Sequence, residues 1–488
     1  MFEAAELGRK ISKTEFKKVE PELHTKLLEI QRSLRTSDFP VIIIVSGVEG
    51  AGKGEVVNRL NEWLDTRGIT TSAFWDESDE ELERPTDWRF WRRLPPKGTI
   101  GIMFGSWYTR PIVDFVFKKS SASEFERKLQ HITEFEQMLT DDGALIVKLW
   151  FHMAKKDVFS RLKAEAKKDT RISPILKKFS KRYDQFARAS ERAIRITDKS
   201  HSPWHLVEAT DRRYRDISTG NIVLEMITQH IKQREGRKKH AKSRVTLPAG
   251  ELTVLDHVDL GQKLSDKEYR KQLAKYQTRF YGLAWEAYKQ KRSTVAVFEG
   301  WDAAGKGGAI RRLTAATDAR LYQVISVAAP TDEEKAHHYL WRFWRHLPRA
   351  GYLTIYDRSW YGRVLVERVE QFAREDEWQR AYNEINQFEQ QLCESGIIML
   401  KYWVHLSPEE QLRRFKEREK IAWKMHKITD EDWRNREKWN DYTAAINDMV
   451  THTSTHYAPW TLIAGNDKKF ARVEIVKTFC NQLEQALS

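Results

Sequence analysis

Short hydrophobic runs recur along this chain and are separated by longer stretches in which apolar residues follow a helical spacing. Each run has the length of one buried strand. Strands that alternate with helices predict a doubly wound α/β fold with a mostly parallel sheet. The predicted strands are residues 41–46, 99–104 and 144–150 in the first half of the chain, and residues 295–299, 353–357, 397–404 and 461–465 in the second.

The two halves of the chain are copies of one unit. The Gly-rich stretches SGVEGAGKGE and EGWDAAGKGG contain Lys53 and Lys306, which are 306 − 53 = 253 positions apart. The motifs WRFWR, SWY and FEQ recur at the same offset. Such a repeat predicts two tandem domains with the same fold.

A phosphate-binding loop is predicted in the second copy, where an apolar strand, the segment from Gly300 to Lys306 and a helix follow one another. In such a loop, backbone N–H groups surround phosphate oxygens and the lysine adds a positive charge. The residue after the lysine is Gly307, where ordinary nucleotide triphosphatases have the Ser or Thr that holds Mg²⁺. Another side-chain oxygen is therefore required to bind Mg²⁺ in this protein.

Two carboxylates of the second copy meet this requirement. Asp302 lies inside the loop, and Asp357 ends the apolar strand YLTIYD, where a Walker-B aspartate belongs. Arg358 follows and would bring a guanidinium to the same phosphates, although a surface ion pair with Asp357 is the alternative. The matching residues of the first copy are Phe104, which cannot bind a metal ion, and Gly105, which has no side chain to contact phosphate.

This loss of functional groups sets the predicted division of the chain. We expect a degenerate, inactive domain over residues 1–235, a linker over 236–255 and a catalytic domain over 256–488. Late in the catalytic copy, residues 411–449 are rich in Lys and Arg and have one apolar helical face. The segment is either a solvated surface or a cationic lid of the kind that closes over phosphate in nucleotide kinases. The predicted fold is therefore two tandem P-loop-kinase-like domains, each a mostly parallel sheet flanked by helices with a helical lid.

The segment WRFWRHLP at residues 341–348 interleaves Trp and Arg, as a platform for stacking nucleic-acid bases would. Its recurrence in the degenerate copy favours a packing role instead.

The composition narrows the class of protein. The 488 residues include 84 Lys and Arg against 70 Asp and Glu, a formal net charge of +14, which implies a polyanionic partner such as nucleic acid, a membrane surface or a phosphate compound. No apolar run is long enough to span a membrane, and the N-terminus does not resemble a signal peptide. Only two cysteines are present, Cys393 and Cys480, which excludes a disulfide framework and favours the cytoplasm.

The motifs GWDAAGKGG, YDRSWYGR, WKMHKITDEDW and HYAPWTLIAGNDKKFARV closely resemble those of the type-2 polyphosphate kinase family. The second copy matches from about residue 260 to residue 488, and the first matches with eroded motifs. Two fused copies with one degenerate resemble the class that phosphorylates AMP. Trp301 departs from the family, which often has arginine there.

The resemblance implies transfer of a phosphoryl group from inorganic polyphosphate to AMP, giving ADP, with Mg²⁺ and without a nucleic-acid or membrane partner. It leaves a homo-oligomer open. It suggests that the first copy, residues 1–235, serves mainly as a structural partner of the second, with weak polyphosphate binding left open as a second role. The implied catalytic residues are Asp302, Lys306, Asp357 and Arg358, with Asp302 and Asp357 at the metal. The implied substrate-binding residues are Gly305, Gly307, Gly308, Arg363, Glu367, Arg414, Arg418 and Lys424.

Two rival functions remain at this point. A kinase that uses a nucleoside triphosphate would explain the loop but not the missing Ser or Thr. A nucleic-acid-binding protein would explain the charge and the aromatic residues, but it would leave Asp302, Lys306 and Asp357 without a role.

Overall fold

The computed structural model describes residues 1–167, 179–236, 253–420 and 430–488, and these divide into two compact units. The predicted linker lies mostly outside the described residues. Each unit also includes one short segment from the other half of the chain. The predicted domain boundaries do not include these segments. In their described residues, the N-terminal unit comprises Met1–Glu77, Arg89–Lys238 and Thr331–His338, and the C-terminal unit comprises Ser78–Trp88, Lys239–Pro330 and Tyr339–Ser488.

The sheet of the N-terminal unit has five parallel strands in the order β2-β3-β1-β4-β5. These are β1 (Val41–Gly47), β2 (Ile69–Ala73), β3 (Ile100–Phe104), β4 (Leu145–His152) and β5 (Trp204–Glu208). The helices of this half of the chain are α1 (Lys13–Leu34), α2 (Lys53–Trp63), α3 (Asp79–Leu82), α4 (Trp88–Trp91), α5 (Thr109–Val116), α6 (Ala122–Asp141), α7 (Lys155–Lys167), α8 (Tyr183–Thr197) and α9 (Arg212–Glu235), with 3-10 turns at Phe2–Ala5 and Thr66–Gly68.

The C-terminal unit repeats this topology, with five parallel strands in the order β10-β9-β6-β8-β7. These are β6 (Thr294–Gly300), β7 (Tyr322–Ser326), β8 (Leu353–Asp357), β9 (Ile398–His405) and β10 (Trp460–Ala464). The helices are α10 (Asp266–Lys289), α11 (Lys306–Thr314), α12 (Asp332–Lys335), α13 (Trp341–Trp344), α14 (Val366–Val369), α15 (Glu375–Glu394), α16 (Pro408–Glu419), α17 (Asp430–Glu437), α18 (Trp439–Thr453) and α19 (Lys468–Leu487), with 3-10 turns at Val254–His257 and Trp360–Arg363.

The predicted α/β fold is confirmed, and the apolar runs are the three central strands of each sheet together with the edge strand β10. In β1, for example, six of seven residues are buried, because helices cover both faces of a parallel sheet. The edge strands β2 and β7 were not predicted. Their sequences, ITTSA and YQVIS, are polar and largely exposed, so they show no continuous apolar run. No helix within the described ranges has the length and apolar composition of a membrane span.

A buried ion pair holds the C-terminal sheet to its helices. The Nζ atom of Lys401, in the middle of β9, lies 2.7 Å from Glu389 Oε2 on α15, and both side chains are completely inaccessible to solvent. The same ammonium donates to the Tyr361 hydroxyl at 2.9 Å and to the Thr453 carbonyl at 2.7 Å. Glu389 also accepts hydrogen bonds from Trp360 Nε1 and the Tyr361 hydroxyl. Burial lowers the pKa of Lys401, and the Glu389 carboxylate opposes that shift.

The N-terminal unit contains the same network. Lys148 pairs with Glu136 at 2.7 Å and donates to Tyr108 and to the Thr197 carbonyl. The SWY and FEQ motifs that recur in the sequence therefore supply the partners of a buried lysine. They are structural in both copies.

The WRFWR motif packs in the interior as well. Trp341, Phe343 and Trp344 are buried, and Trp344 meets Phe388 edge to face at 5.1 Å between ring centroids. These rings are core residues and do not form a platform for nucleic-acid bases.

Replacing Lys401 with Met should destabilise the C-terminal unit, because it leaves the Glu389 carboxylate buried without its cation. The expected loss is about 3–5 kcal/mol in the free energy of unfolding, measured by urea denaturation. Adding Glu389→Leu should recover much of this loss, since an apolar pair can replace a buried ion pair. An unchanged urea midpoint for Lys401→Met would contradict this account.

Candidate active site

A cavity of about 380 Å³ opens at the carboxyl ends of β6 and β8, where ligands bind in parallel α/β sheets. Arg311, which the sequence analysis did not single out, also lines it. The cavity brings together seven of the predicted residues: Gly305, Lys306, Gly307, Gly308, Asp357, Arg358 and Arg418.

The loop between β6 and α11 has the conformation of a phosphate cradle. Gly300 has φ +151°, and a Cβ there would lie 2.6 Å from the Val404 carbonyl oxygen, so the close approach to β9 requires glycine. Lys306 is buried, and its Nζ donates to the carbonyls of Gly300 at 2.6 Å and Trp301 at 3.3 Å. The ammonium is thus held inside the loop, and α11 begins at the cavity, where a helix N-terminus favours an anion.

Asp302 joins the loop to the lid helices. Its Oδ1 accepts a hydrogen bond from Arg358 at 3.2 Å, and its Oδ2 accepts one from Asn435 of α17 at 3.1 Å. Gln411 donates to the Asp302 carbonyl at 3.2 Å. Burial lowers the pKa of the Arg358 guanidinium, but the Asp302 and Glu299 carboxylates outweigh it and raise the pKa overall, so the charge is retained. Asn435 and Gln411 were missed, because single amides in a charged segment carry no sequence signal.

Arg358 has a left-handed backbone, with φ +65°. For a residue with a Cβ this conformation costs about 1–2 kcal/mol. The matching Gly105 of the N-terminal unit has φ +72°, so the same turn is made there without that cost. An arginine kept against the backbone preference indicates that position 358 requires the guanidinium.

Glu299 is a buried acid that the sequence analysis missed. It is 5% exposed, lies at the end of β6, and accepts a hydrogen bond from the Ser359 hydroxyl at 2.7 Å. Burial raises its pKa, while Lys306 and Ser359 oppose the shift. The signal available in the sequence was an acidic residue at the end of the apolar run VAVF. The matching residue of the first copy is Ser46.

Arg414 does not contact the cavity as predicted. It is 1% exposed, and its guanidinium donates to the carbonyls of Ala303 and Ala304 at 3.0 Å each and to that of Gly465 at 2.6 Å. Burial lowers its pKa, and Glu410 opposes this. The structure therefore places Arg414 behind the loop, where it supports the backbone.

The remaining predicted residues lie away from the cavity wall or outside the described part of the chain. Arg363 and Glu367 form an ion pair of 3.3 Å, and the Arg363 guanidinium stacks over the Tyr339 ring at 4.4 Å. Neither lines the cavity around the loop. Lys424 lies outside the described residues. The substrate contacts of these three residues stay predictions.

Two tryptophans connect the loop to the base of the lid. The rings of Trp301 and Trp439 stack with centroids 3.7 Å apart and planes inclined by 5°. Trp301 Nε1 also donates to His405 Nδ1 at 3.2 Å. Burial lowers the pKa of His405 to about 4, so the ring is neutral at pH 7 and can accept this bond. Trp301 is therefore a packing residue at the junction of the loop and α18.

Two carboxylates are available for the predicted Mg²⁺. Within the described ranges no group of three or more acidic, His or Cys side chains forms a closed metal cage. Mg²⁺ is commonly bound by one or two carboxylates together with water and substrate phosphates. Asp357 lines the cavity, whereas Asp302 does not and accepts hydrogen bonds from Arg358 and Asn435. Their role as metal ligands stays a prediction.

The corresponding region of the N-terminal unit has lost these groups. Glu55 replaces Gly308 in the first turn of its helix and accepts from Arg161 at 2.8 Å and Arg215 at 2.9 Å, with Arg212 at 3.1 Å. Burial raises the pKa of Glu55, but these guanidinium groups outweigh it and lower the pKa overall. A protein carboxylate, rather than an open cradle, occupies the start of α2.

Comparison with protein families supplies the identity of this fold. The model of the polyphosphate kinase 2 (PPK2) family matches residues 10–235 and again residues 263–488. The chain belongs to the PPK2 family. Both halves are thus PPK2 domains, as the repeat suggested, and the P-loop cavity lies in the second.

Relatives of known name cover the whole chain. A polyphosphate:AMP phosphotransferase from Pseudomonas aeruginosa is 49% identical over 100% of this chain and 99% of its own length. One from Acinetobacter johnsonii is 36% identical over 95% of this chain and 96% of its own. A crystal structure of polyphosphate kinase 2 from P. aeruginosa superposes with a TM-score of 0.90 at 48% identity, covering 100% of this chain and 99% of that one.

Replacing Arg358 with Gly should separate activity from stability. Phosphoryl transfer should fall about 10²–10³-fold, because a charge contact to the reacting phosphate is removed. The free energy of unfolding should change by no more than about 1 kcal/mol, since relief of the left-handed backbone offsets the loss of a half-exposed ion pair.

The matched control is Gly105→Ala in the N-terminal unit. A Cβ there would lie 2.4 Å from the Phe74 carbonyl oxygen, so this variant should lower stability and leave transfer by the folded protein unchanged. Comparable stability losses for Arg358→Gly and Gly105→Ala would refute the interpretation of Arg358.

Proposed function

We propose that this chain transfers a phosphoryl group from inorganic polyphosphate to AMP, giving ADP and a polymer shorter by one phosphate. The full-length similarity to polyphosphate:AMP phosphotransferases carries the proposal. The P-loop cavity supports it, because its ionisable side chains suit a phosphoryl transfer, which requires positioning and charge neutralisation more than covalent help. The catalytic domain is assigned to residues 256–488, and the N-terminal domain is assigned no turnover.

Cations and backbone N–H groups of the C-terminal unit hold the donor. Lys306, Arg358 and Arg418 neutralise the phosphates at the reactive end of the chain, and Gly305, Gly307 and Gly308 leave room for phosphate oxygens against the backbone. A single small phosphate does not need this many cationic side chains, so the cavity suits a polyanionic donor.

An oxygen of the AMP phosphate attacks the terminal phosphorus of polyphosphate. The bond from that phosphorus to the bridging oxygen breaks, and the electron pair stays on the shortened polymer. The second pKa of a phosphate monoester is about 6, so AMP is mostly dianionic at neutral pH and no strong base is required. Asp302 is therefore assigned to positioning and not to proton abstraction.

Asp302 and Asp357 would hold Mg²⁺ at this site. When bound, the ion neutralises charge on the transferring phosphate. Arg358 is close to both carboxylates, since it follows Asp357 in the sequence and donates to Asp302. We also place the enzyme in the cytoplasm, in agreement with its free thiols at Cys393 and Cys480.

The proposal is tested with the purified full-length protein, AMP, Mg²⁺ and polyphosphate as the sole phosphoryl source. ADP should form in proportion to polyphosphate consumed. Activity that requires a nucleoside triphosphate, or an absence of ADP, would overturn the proposal.

A pair of matched variants tests the division of labour between the copies. Lys306→Ala should lower transfer about 10²–10³-fold, because a transition-state charge is lost. Lys53→Ala removes the equivalent residue of the first copy, which is paired with Glu49 at 2.7 Å, and should leave most activity. Equal losses in the two variants would exclude a single active copy.

Binding of polyphosphate should weaken steeply with salt. Four cations line the cavity, namely Lys306, Arg311, Arg358 and Arg418. At about −0.7 per neutralised charge on a single-stranded polyanion, the slope of log affinity against log salt should be roughly −3. The measurement is a polyphosphate titration of the protein at several KCl concentrations, and a flat response would contradict a cationic donor site.

A further inference from the structure

The N-terminal unit retains a cavity where the C-terminal unit has its active site. It lies at the carboxyl ends of β1 and β3 and has a volume of about 350 Å³, close to that of the catalytic cavity. This size falls in the range of small-molecule sites. Loss of catalysis has therefore not been followed by collapse of the space.

The walls of this cavity have become apolar. Several polar residues of the C-terminal unit are replaced by hydrocarbon or aromatic side chains, with a register of 253 positions before the lid and 256 positions after it. The counterparts of Asp357, Gln411 and Asn435 are Phe104, Val158 and Phe179, and the counterpart of Arg358 is Gly105.

The one cation of the former loop is neutralised. Lys53 Nζ lies 2.7 Å from Glu49 Oε1 and also donates to the carbonyls of Gly47 at 2.9 Å and Val48 at 3.3 Å. The Glu49 carboxylate thus neutralises the charge of Lys53, and the three N–H groups of its ammonium all have acceptors within the protein. Lys53 is the one Lys or Arg among the described residues that line the cavity, and Glu55 also occupies the start of α2. These described walls are therefore poorly suited to AMP or polyphosphate.

Two hydroxyl groups of the cavity wall remain available. Ser46 is 9% exposed and Ser190 is 2% exposed, and neither side chain makes a hydrogen bond within the described ranges. Both residues line the cavity, so each hydroxyl is a group to which a bound molecule could donate or from which it could accept a hydrogen bond. The C-terminal unit has Glu299 and Ile446 at these positions, so the pair of hydroxyls belongs to the N-terminal unit alone.

We propose that this cavity binds an uncharged aromatic small molecule that carries at least one hydrogen-bonding group. Phe74, Phe104, Phe179, Tyr183 and Phe186 supply ring faces and edges for an aromatic ligand. The neutral Lys53–Glu49 pair disfavours a net charge on that ligand, and Ser46 and Ser190 meet its polar group. The first copy is thus a ligand-binding domain built on a former active site.

The test uses N-phenyl-1-naphthylamine, an uncharged aromatic amine whose fluorescence rises in apolar surroundings, titrated into the full-length protein. The expected result is saturable binding of one probe per chain. Phe104→Asp returns the carboxylate of the catalytic copy to the wall, and Ile112→Trp fills the space, so each should weaken binding at least tenfold. The melting temperature of each variant shows whether it is folded. If Phe104→Asp does not fold, Ile112→Trp alone tests the proposal.

The matched control is Lys306→Ala in the catalytic cavity, which should leave probe binding unchanged. An excess of polyphosphate or AMP should not displace the probe. Probe binding that does not saturate, that survives in folded Ile112→Trp, or that is displaced by polyphosphate would overturn the proposal. Because ADP formation is measured separately, failure here is distinct from failure of the proposed phosphoryl transfer.

Discussion

A lysine ammonium in the interior of a parallel sheet is stable only if a carboxylate and further acceptors surround it. Lys401 meets that condition through Glu389, Tyr361 and the Thr453 carbonyl, which come from a helix, a turn and the end of a second helix. Satisfying all of them fixes where these elements lie around β9. The turn is separated from Arg358 by a single residue, so the placement of Asp357 and Arg358 depends on this buried ion pair.

The same pair in the N-terminal unit explains what the two copies share. Lys148 and Glu136 are retained there although the carboxylate at position 357 has become Phe104. Motifs that recur in both halves are therefore those that hold the fold together, and motifs that differ mark the chemistry. Lys53 is the exception, because its side chain is retained while Glu49 neutralises it.

The sequence predicted those parts of the molecule whose determinants are contiguous. Central strands were recognisable because both their faces are buried, and the loop was recognisable because strand, glycines and lysine follow one another. Asn435 and Gln411 reach Asp302 only once the lid helices have folded, so nothing in their own neighbourhood revealed them. The burial of Arg414 was not predicted, because an arginine in a charged helix has the same sequence signal whether it faces solvent or the interior.

The backbone around Gly105 makes the absence of an arginine at this position hard to reverse. A Cβ at this position would lie 2.4 Å from the Phe74 carbonyl oxygen, at the end of β2. An arginine in place of Gly105 would require the end of β2 to shift, whereas a glycine in place of Arg358 requires no such movement. At this position, the two halves therefore diverge more easily in one direction than in the other.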